Sequence, residues 1–292
     1  MKVRFLGTSS TEGIPGIFCN CPVCTALRAR MDAGDPTAKN SVRTRTQTMI
    51  DDEILVDFGP DTYYHALKNG LRLGNLGYIL MTHSHNDHFE PQDLAMSGEP
   101  YAHGMKYDCI TVIGSSQIET DYRYFTEMMH EGGRGKVRFS LAQPFVPQKA
   151  GEYTVTALPS LHMQNEETFV YLIEKGEARV FICNDTGILP EETFRYLENY
   201  GREGKPLSLM ACDCALGDTN YPYKWHMGVK EVLYTRDRLK EAGAVNENTK
   251  VYINHISHDY GHREYEIYSR DMAKDGVLVS KDGLAVTLEE RV

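Results

Sequence analysis

The chain has 292 residues, 41% of them hydrophobic and 25% charged, with a formal net charge of −10. That composition excludes a disordered or collagen-like polymer and suffices for the core of one large α/β domain or two small ones. The acidic balance gives no general attraction to nucleic-acid phosphates or an anionic membrane, and the densest basic stretch, Lys39 to Arg45, is short. No apolar run approaches the ~20 residues of a membrane helix, and the opening Met-Lys-Val-Arg-Phe-Leu-Gly has no signal-peptide core, so a cytoplasmic protein is expected. Seven cysteines are an odd count, which argues against a disulfide framework and toward metal binding in a reducing compartment.

In chain order, Val3 to Leu6 reads as a first strand. Gln47 to Ile50 and Ile54 to Asp57 read as a hairpin about Asp51-Asp52. A helix is expected over Asp61 to Lys68, then a strand over Gly77 to Met81 that runs straight into Thr82-His83. Ile110 to Ile113 reads as a strand and Gln117 to Met129 as a helix, although residues 96 to 150 as a whole are the least patterned and read as an insertion or lid. Tyr153 to Leu158, Phe169 to Ile173 and Arg179 to Cys183 are strands, the last two joined through Lys175-Gly176-Glu177. Glu191 to Tyr200 is a helix with Pro190 at its first turn and Gly201 just past its end. Leu207 to Ala211 is a strand, Val229 to Ala242 a helix that stops at Gly243, Lys250 to Ile253 a strand and Glu264 to Ala273 a helix. Val277 to Val279 and Leu284 to Leu288 read as a closing hairpin through Asp282-Gly283. No fixed-period repeat or low-complexity linker interrupts the chain, so a single α/β domain over residues 1–292 is expected.

The sharpest chemical signal is Thr82-His83-Ser84-His85-Asn86-Asp87-His88 at the end of a strand. Four ligands in one loop cannot easily wrap a single tetrahedral ion, so two divalent cations fit better than one. Further candidates each follow a strand: His162, Asp185 and His255. A second cluster, Cys19-Asn20-Cys21-Pro22-Val23-Cys24, offers three thiolates at a spacing suited to a structural Zn²⁺. Spacing leaves its fourth ligand open among His258, His226, His262, Cys212 and Cys214.

The H-x-H-x-D-H loop, a strand ending in Asp57 before Gly59, then His162, Asp185 and His255 in that order resemble the metallo-β-lactamase superfamily over about residues 3 to 288. The resemblance implies an αββα sandwich, two mixed sheets flanked by helices, with two metals at its edge. It implies that His83, His85 and His162 hold one ion, that Asp87, His88 and His255 hold the other, and that Asp185 bridges them. Asp57 would orient a ligand by hydrogen bonding. Diiron reductases of the superfamily carry glutamate where this chain has His85, so hydrolysis with Zn²⁺ or Mn²⁺ is expected rather than redox chemistry.

A narrower resemblance rests on the early Gly-Thr-Ser turn, the C-x-C-x-x-C cluster and His255-x-x-His258. These are similar to the phosphonate-pathway phosphodiesterases that open cyclic phosphoribosyl phosphates. That likeness selects His258 to close the structural zinc. It also implies a role for His226, which lies in Trp225-His226-Met227-Gly228 before a helix, as proton donor to the leaving oxygen, with Asp87 the other catalytic candidate. Two cations can deprotonate a water near neutral pH, and a small or cyclic phosphodiester is the expected substrate. Arg43, Arg45 and Lys106 are candidate phosphate contacts. A homodimer is expected by analogy, with no nucleic-acid or membrane partner. The alternatives are a lactone, thioester or RNA 3′-processing hydrolase of the same fold, or a metal-binding cofactor-biosynthesis protein without catalysis.

Overall fold

The computed structural model describes residues 1–127, 135–260 and 263–288. The chain begins β1 (Lys2–Gly7), α1 (Pro22–Asp32), β2 (Gln47–Ile50), β3 (Ile54–Val56), α2 (Thr62–Asn69), β4 (Tyr78–Leu80), α3 (Pro91–Ala95), β5 (Ile110–Gly114) and α4 (Ser116–Glu127). It continues β6 (Val137–Leu141), β7 (Gln148–Ala150), β8 (Tyr153–Pro159), β9 (Phe169–Lys175), β10 (Ala178–Cys183) and α5 (Glu191–Arg202). The last elements are β11 (Leu209–Asp213), α6 (Val229–Glu241), β12 (Lys250–Asn254), α7 (Tyr265–Ala273), β13 (Leu278–Val279) and β14 (Ala285–Thr287).

Two mixed sheets result, in the orders β14-β1-β2-β3-β4-β5-β6 and β13-β12-β11-β10-β9-β8-β7. Side chains alternate across each strand with period two. In β9 and β10, Phe169, Tyr171, Ile173, Val180 and Ile182 point between the sheets and meet Val3, Phe5, Ile54, Val56 and Leu80 from the first sheet. Their neighbours Val170, Leu172, Phe181 and Cys183 point outward and are covered by Leu27 of α1, Phe194 and Leu197 of α5, Val232 and Leu239 of α6 and Tyr268 of α7. On the far side Met49, Leu55, Ile79 and Val112 pack under Leu94 of α3 and Ile118 and Tyr122 of α4. The layering is the expected αββα sandwich. Both faces of each inner strand are covered, which explains why these strands read as near-continuous apolar runs.

Cross-sheet hydrogen bonds concentrate where β4 ends. The buried Tyr171 hydroxyl donates to the Met81 carbonyl at 2.7 Å, and the Phe169 N–H donates to the Thr82 carbonyl at 2.9 Å. The segment that enters the His83 loop is thereby pinned to the second sheet.

Three expectations are corrected. The closing hairpin does not form: β13 pairs with β12 in one sheet and β14 with β1 in the other, antiparallel. The Asp282-Gly283 turn carries the chain across the sandwich, because the buried Asp282 carboxylate accepts from Thr8 Oγ1 at 2.7 Å and from Thr44 N–H at 2.8 Å. Gly201 lies inside α5 instead of ending it. A Cβ there would come within 2.2 Å of Ala244 N, so the missing side chain lets the ends of α5 and α6 touch. Much of the stretch read as an insertion or lid is sheet framework, since β5 pairs with β4 and β6 in the first sheet and β7 with β8 in the second. The expected last residues of the helix at 117 to 129 lie partly outside the described residues. Among the described residues no helix is long and apolar enough to cross a membrane.

Candidate metal centre

Strand ends at one rim of the sandwich bring the titratable residues together. Asp57 follows β3, His83 to His88 follow β4, Asp185 follows β10 and His255 follows β12. Asp57, Asp185 and His255 all have left-handed backbones, with φ of 66°, 49° and 53°. A non-glycine residue in that region costs ~1–3 kcal/mol, and such strain gathers where a side chain must be aimed.

The ligand atoms of His83, His85, His162 and Asp185 lie within 4.8 Å of one another, and so do those of Asp87, His88, Asp185 and His255. Asp185 belongs to both groups. Its Oδ2 stands 3.3 Å from His83 Nε2, 3.0 Å from His88 Nε2 and 3.6 Å from His255 Nε2. His83 Nε2 is 2.9 Å from His85 Nδ1, which is 3.1 Å from His162 Nε2.

Hydrogen bonds on the far side of each ring fix which nitrogen faces inward. Asp57 Oδ1 accepts from the Thr82 N–H and hydroxyl, both at 2.9 Å, so the Thr82 oxygen is left to accept from His83 Nδ1–H at 2.9 Å. His88 Nδ1 donates to Asp57 Oδ2 at 2.7 Å, and His162 Nδ1 donates to the Trp225 carbonyl at 3.2 Å. A carbonyl or carboxylate can only accept, so His83, His88 and His162 each carry a proton on Nδ1 and turn Nε2 toward the cluster, with His162 Nδ1 also 3.1 Å from Asp185 Oδ1. Inside it, His88 Nε2, Asp185 Oδ1 and both ring nitrogens of His255 are buried without a hydrogen bond. Buried polar atoms of this kind are costly unless something binds them. Orphaned donors, imidazole lone pairs and carboxylates make a set suited to divalent cations.

Charge organises the rest. Burial alone would raise the Asp185 carboxyl, but His255, His162, His226 and His83 around it hold it well below the usual carboxylate range. Burial pushes His83 down to about 4, whereas His88 is carried well above its ordinary value by Asp87 and Asp57 despite its burial. Asp87 in turn is drawn below the carboxylate range, burial being outweighed by His88. His226 Nδ1 lies 3.0 Å from Asp213 Oδ2 and 3.1 Å from Asp185 Oδ1. Burial opposes its charge, yet Asp213 and Asp185 push His226 up to about 11.

Asp213 escaped the sequence reading. Fully buried, it accepts from the Ala215 and Met227 N–H groups at 2.9 and 3.1 Å, and its other oxygen is 3.3 Å from His255 Nδ1. It therefore orients His226 and places its charge beside His255. The available signal was positional: Asp213 ends a strand, as Asp57, Asp185 and His255 follow one. Glu166 was missed too. It accepts from Ser84 Oγ at 2.5 Å and Ser115 Oγ at 2.8 Å, and so braces the 83–88 loop from outside. A third support is Asn254, which donates to Asn184 at 3.0 Å and ties the residues preceding His255 and Asp185.

A second centre stands beside the first. Cys19, Cys21, Cys24 and His258 bring their ligand atoms within 4.8 Å of one another, with Cys21 Sγ 3.7 Å from His258 Nδ1. Of the other candidates for the fourth place, His226 belongs to the first centre, Cys212 and Cys214 are buried in the core, and His262 lies outside the described residues. All seven cysteines are free. The proposed phosphate contacts are not at the cleft. Arg43 is buried against Thr8 Oγ1 and the Ser280 carbonyl, Arg45 pairs with Asp61 at 3.0 Å, and Lys106 pairs with Glu53 at 2.9 Å.

Replacing Asp57 by asparagine sets an N–H₂ against donors. Loss of such an orienting partner typically costs about 10–100-fold in metal affinity. Asp57→Asn is expected to lose divalent ions that much more readily in dialysis against a chelator. Unchanged retention would remove the role assigned to Asp57.

The family described as "Beta-lactamase superfamily domain" matches residues 52–253. A coenzyme PQQ synthesis protein B from Methylobacterium radiotolerans is 24% identical over 201 residues, which cover 62% of this chain and 64% of that protein. The match thus spans somewhat less than two thirds of this relative's length. Among solved structures, a diphosphatase from the PhnP family superposes with a TM-score of 0.73 at 20% identity, covering 99% of this chain and 98% of that one. Zn²⁺-bound PqqB from Methylobacterium extorquens superposes with a TM-score of 0.72 at 18% identity, covering 99% and 100%. At these identities the structural likeness is one of fold.

Proposed function

The chain belongs to the β-lactamase superfamily, and from that premise we propose that it is a dinuclear-metal hydrolase of phosphodiesters. The observation that carries the proposal is Asp185, shared by these two donor groups and by a third, with Asp213, His226 and His255, each of which closes within 4.8 Å. In this reading His83, His85 and His162 hold one ion, Asp87, His88 and His255 the other, and Asp185 both. Two divalent cations supply an activated water near neutral pH and charge that offsets an anionic phosphate. Zn²⁺ and Mn²⁺ suit the imidazole-rich set. Cys19, Cys21, Cys24 and His258 hold a structural Zn²⁺.

The chain's own residues then complete the chemistry. His226 lines the cleft with Nδ1 on Asp213, which leaves Nε2 as the ring nitrogen that can give a proton to the departing oxygen. Asp213, hydrogen-bonded to Nδ1, orients the ring and stabilises its charged form until the departing oxygen takes the Nε2 proton. Asp57 holds His88 and Asp213 holds His226 at fixed orientation, a preorganised arrangement that lowers the cost of reorganisation during turnover. The superposition on a diphosphatase is consistent with attack at phosphorus on this fold. A second reading, a role in coenzyme synthesis, is favoured by the PQQ synthesis protein B match.

A substrate panel separates these readings. The metal-loaded chain is expected to hydrolyse bis-p-nitrophenyl phosphate with a kcat/KM at least about tenfold above a chromogenic lactone or nitrocefin. Preference for the lactone or nitrocefin would overturn the phosphodiester assignment. Inactivity on all three would favour the coenzyme-synthesis reading.

A further inference from the structure

Outside the ligand cluster, the cleft of about 570 Å³ has a wall with its own chemistry. Tyr221, Tyr223 and Tyr260 line it. Tyr221 and Tyr223 leave 54% and 45% of their surfaces exposed. The Tyr221 ring lies 5.3 Å from Tyr260 and 6.4 Å from Tyr223, and Tyr223 stacks on His226 at 5.7 Å and 23°. The rings thus form a band that starts at the proposed proton donor and opens to solvent. Aromatic faces so placed are a platform for another flat ring.

Facing the same space is Glu12, about a quarter exposed. Its two oxygens accept from Ser10 Oγ at 2.7 Å and Ser257 Oγ at 2.6 Å, which fixes the carboxylate and leaves it lone pairs to accept from a ligand hydroxyl. Asp259 adds a second acid to the wall, and no lysine or arginine is among the described residues that line the cleft. Arg45 comes near at Thr11, but its guanidinium is bound to the Thr11 carbonyl at 2.9 Å and to Asp61 at 3.0 Å. Arg263 is taken up by Asp218 and by Asp271.

We propose that the cleft selects a phosphodiester that bears a flat ring and a hydroxylated linker but no second phosphate, an inference that rests on the phosphodiesterase reading. The ring lies on the tyrosine band, and a linker hydroxyl donates to Glu12. A further phosphate at this wall would meet two carboxylates with no lysine or arginine among the described lining residues to receive it.

Three esters that all release p-nitrophenol test this on the metal-loaded chain: methyl p-nitrophenyl phosphate, the p-nitrophenyl ester of thymidine 5′-phosphate, and the same ester with a 3′-phosphate. The thymidine ester is expected to exceed the methyl ester in kcat/KM by about tenfold or more. The 3′-phosphate is expected to lower kcat/KM roughly tenfold at low ionic strength, with the gap narrowing as salt rises. Tyr221→Ala should shrink the thymidine-to-methyl ratio, and Glu12→Gln should shrink the penalty of the 3′-phosphate. Equal rates for the methyl and thymidine esters, or a 3′-phosphorylated ester that matches or exceeds the unphosphorylated one, would overturn the inference and leave the phosphodiesterase reading intact. Turnover of a lactone but of none of the three esters would remove both.

Discussion

Asp185→Asn is expected to reduce turnover on the order of 10³-fold or more, since the loss of a mere orienting partner in such a site already costs about 10–100-fold. The reason is geometric. Asp185 is nearly inaccessible, and its two oxygens reach toward His83, His88, His162, His226 and His255 at 3.0 to 3.6 Å. Among the described residues no other carboxylate belongs to both donor groups. An asparagine keeps the volume but exchanges an acceptor for an N–H₂ donor and removes the charge that balances this ring of imidazoles. A ligand that binds only the folded state raises Tm by mass action. Added Zn²⁺ should therefore raise the Tm of the wild type and fail to raise that of Asp185→Asn to the same extent. A variant that kept both its activity and its metal-dependent Tm would show that Asp185 is not shared between ions.

The second large effect concerns stability. Cys21→Ser is expected to release about one zinc per chain and to lower Tm by ~10 °C, several kcal/mol at the ~2–4 °C per kcal/mol usual for chains of this size. The cluster is prepared for a cation. Backbone N–H groups of Gly16, Cys21 and Cys24 point at Cys24, Cys19 and Cys21 sulfurs at 3.2, 3.3 and 3.5 Å. The Cys24 N–H, with lesser help from Cys19, brings the Cys21 thiol down to about 7, whereas burial lifts Cys24 to about 11. Gly16 allows the close approach, since a Cβ there would lie 2.8 Å from His258 Nε2. His258 sits three residues beyond His255, and the Ile256 N–H donates to the Thr8 carbonyl at 2.9 Å. The cysteine loop is thus clamped to the segment that presents a ligand of the first centre. Cys21→Ser should loosen ions at the first centre without abolishing their binding. A variant with undiminished zinc and unchanged Tm would contradict a structural centre here.

How far these features were legible in the sequence depends on the range of the interactions involved. The His83–His88 loop is contiguous, so its ligands could be read directly. His162, Asp185 and His255 could be read because each follows a recognisable apolar strand. Asp213 obeys the same rule but was passed over because the strand was ended at Ala211, two residues early. Helix α1 was missed although Pro22 stands at its first turn, because the cysteines drew that segment into a metal reading. Arg43 reads from the sequence as a candidate phosphate contact, which requires the exposed position where arginine usually lies. Its burial depends on Thr8, the Ser280 carbonyl and the nearby Asp282 carboxylate, contacts made across up to 239 positions that no local pattern reveals. The Asp282-Gly283 turn failed for a related reason. Turn chemistry shows that the chain reverses, but not whether the next strand joins the same sheet or crosses to the facing one.

Ion content is the most direct test of a shared dinuclear centre. Wild-type chain loaded with Zn²⁺, freed of excess and measured by plasma mass spectrometry is predicted to hold about three ions, of which about one resists mild chelation while hydrolysis is lost with the other two. A chain that retains fewer than two ions yet hydrolyses phosphodiesters at its full rate would contradict the account.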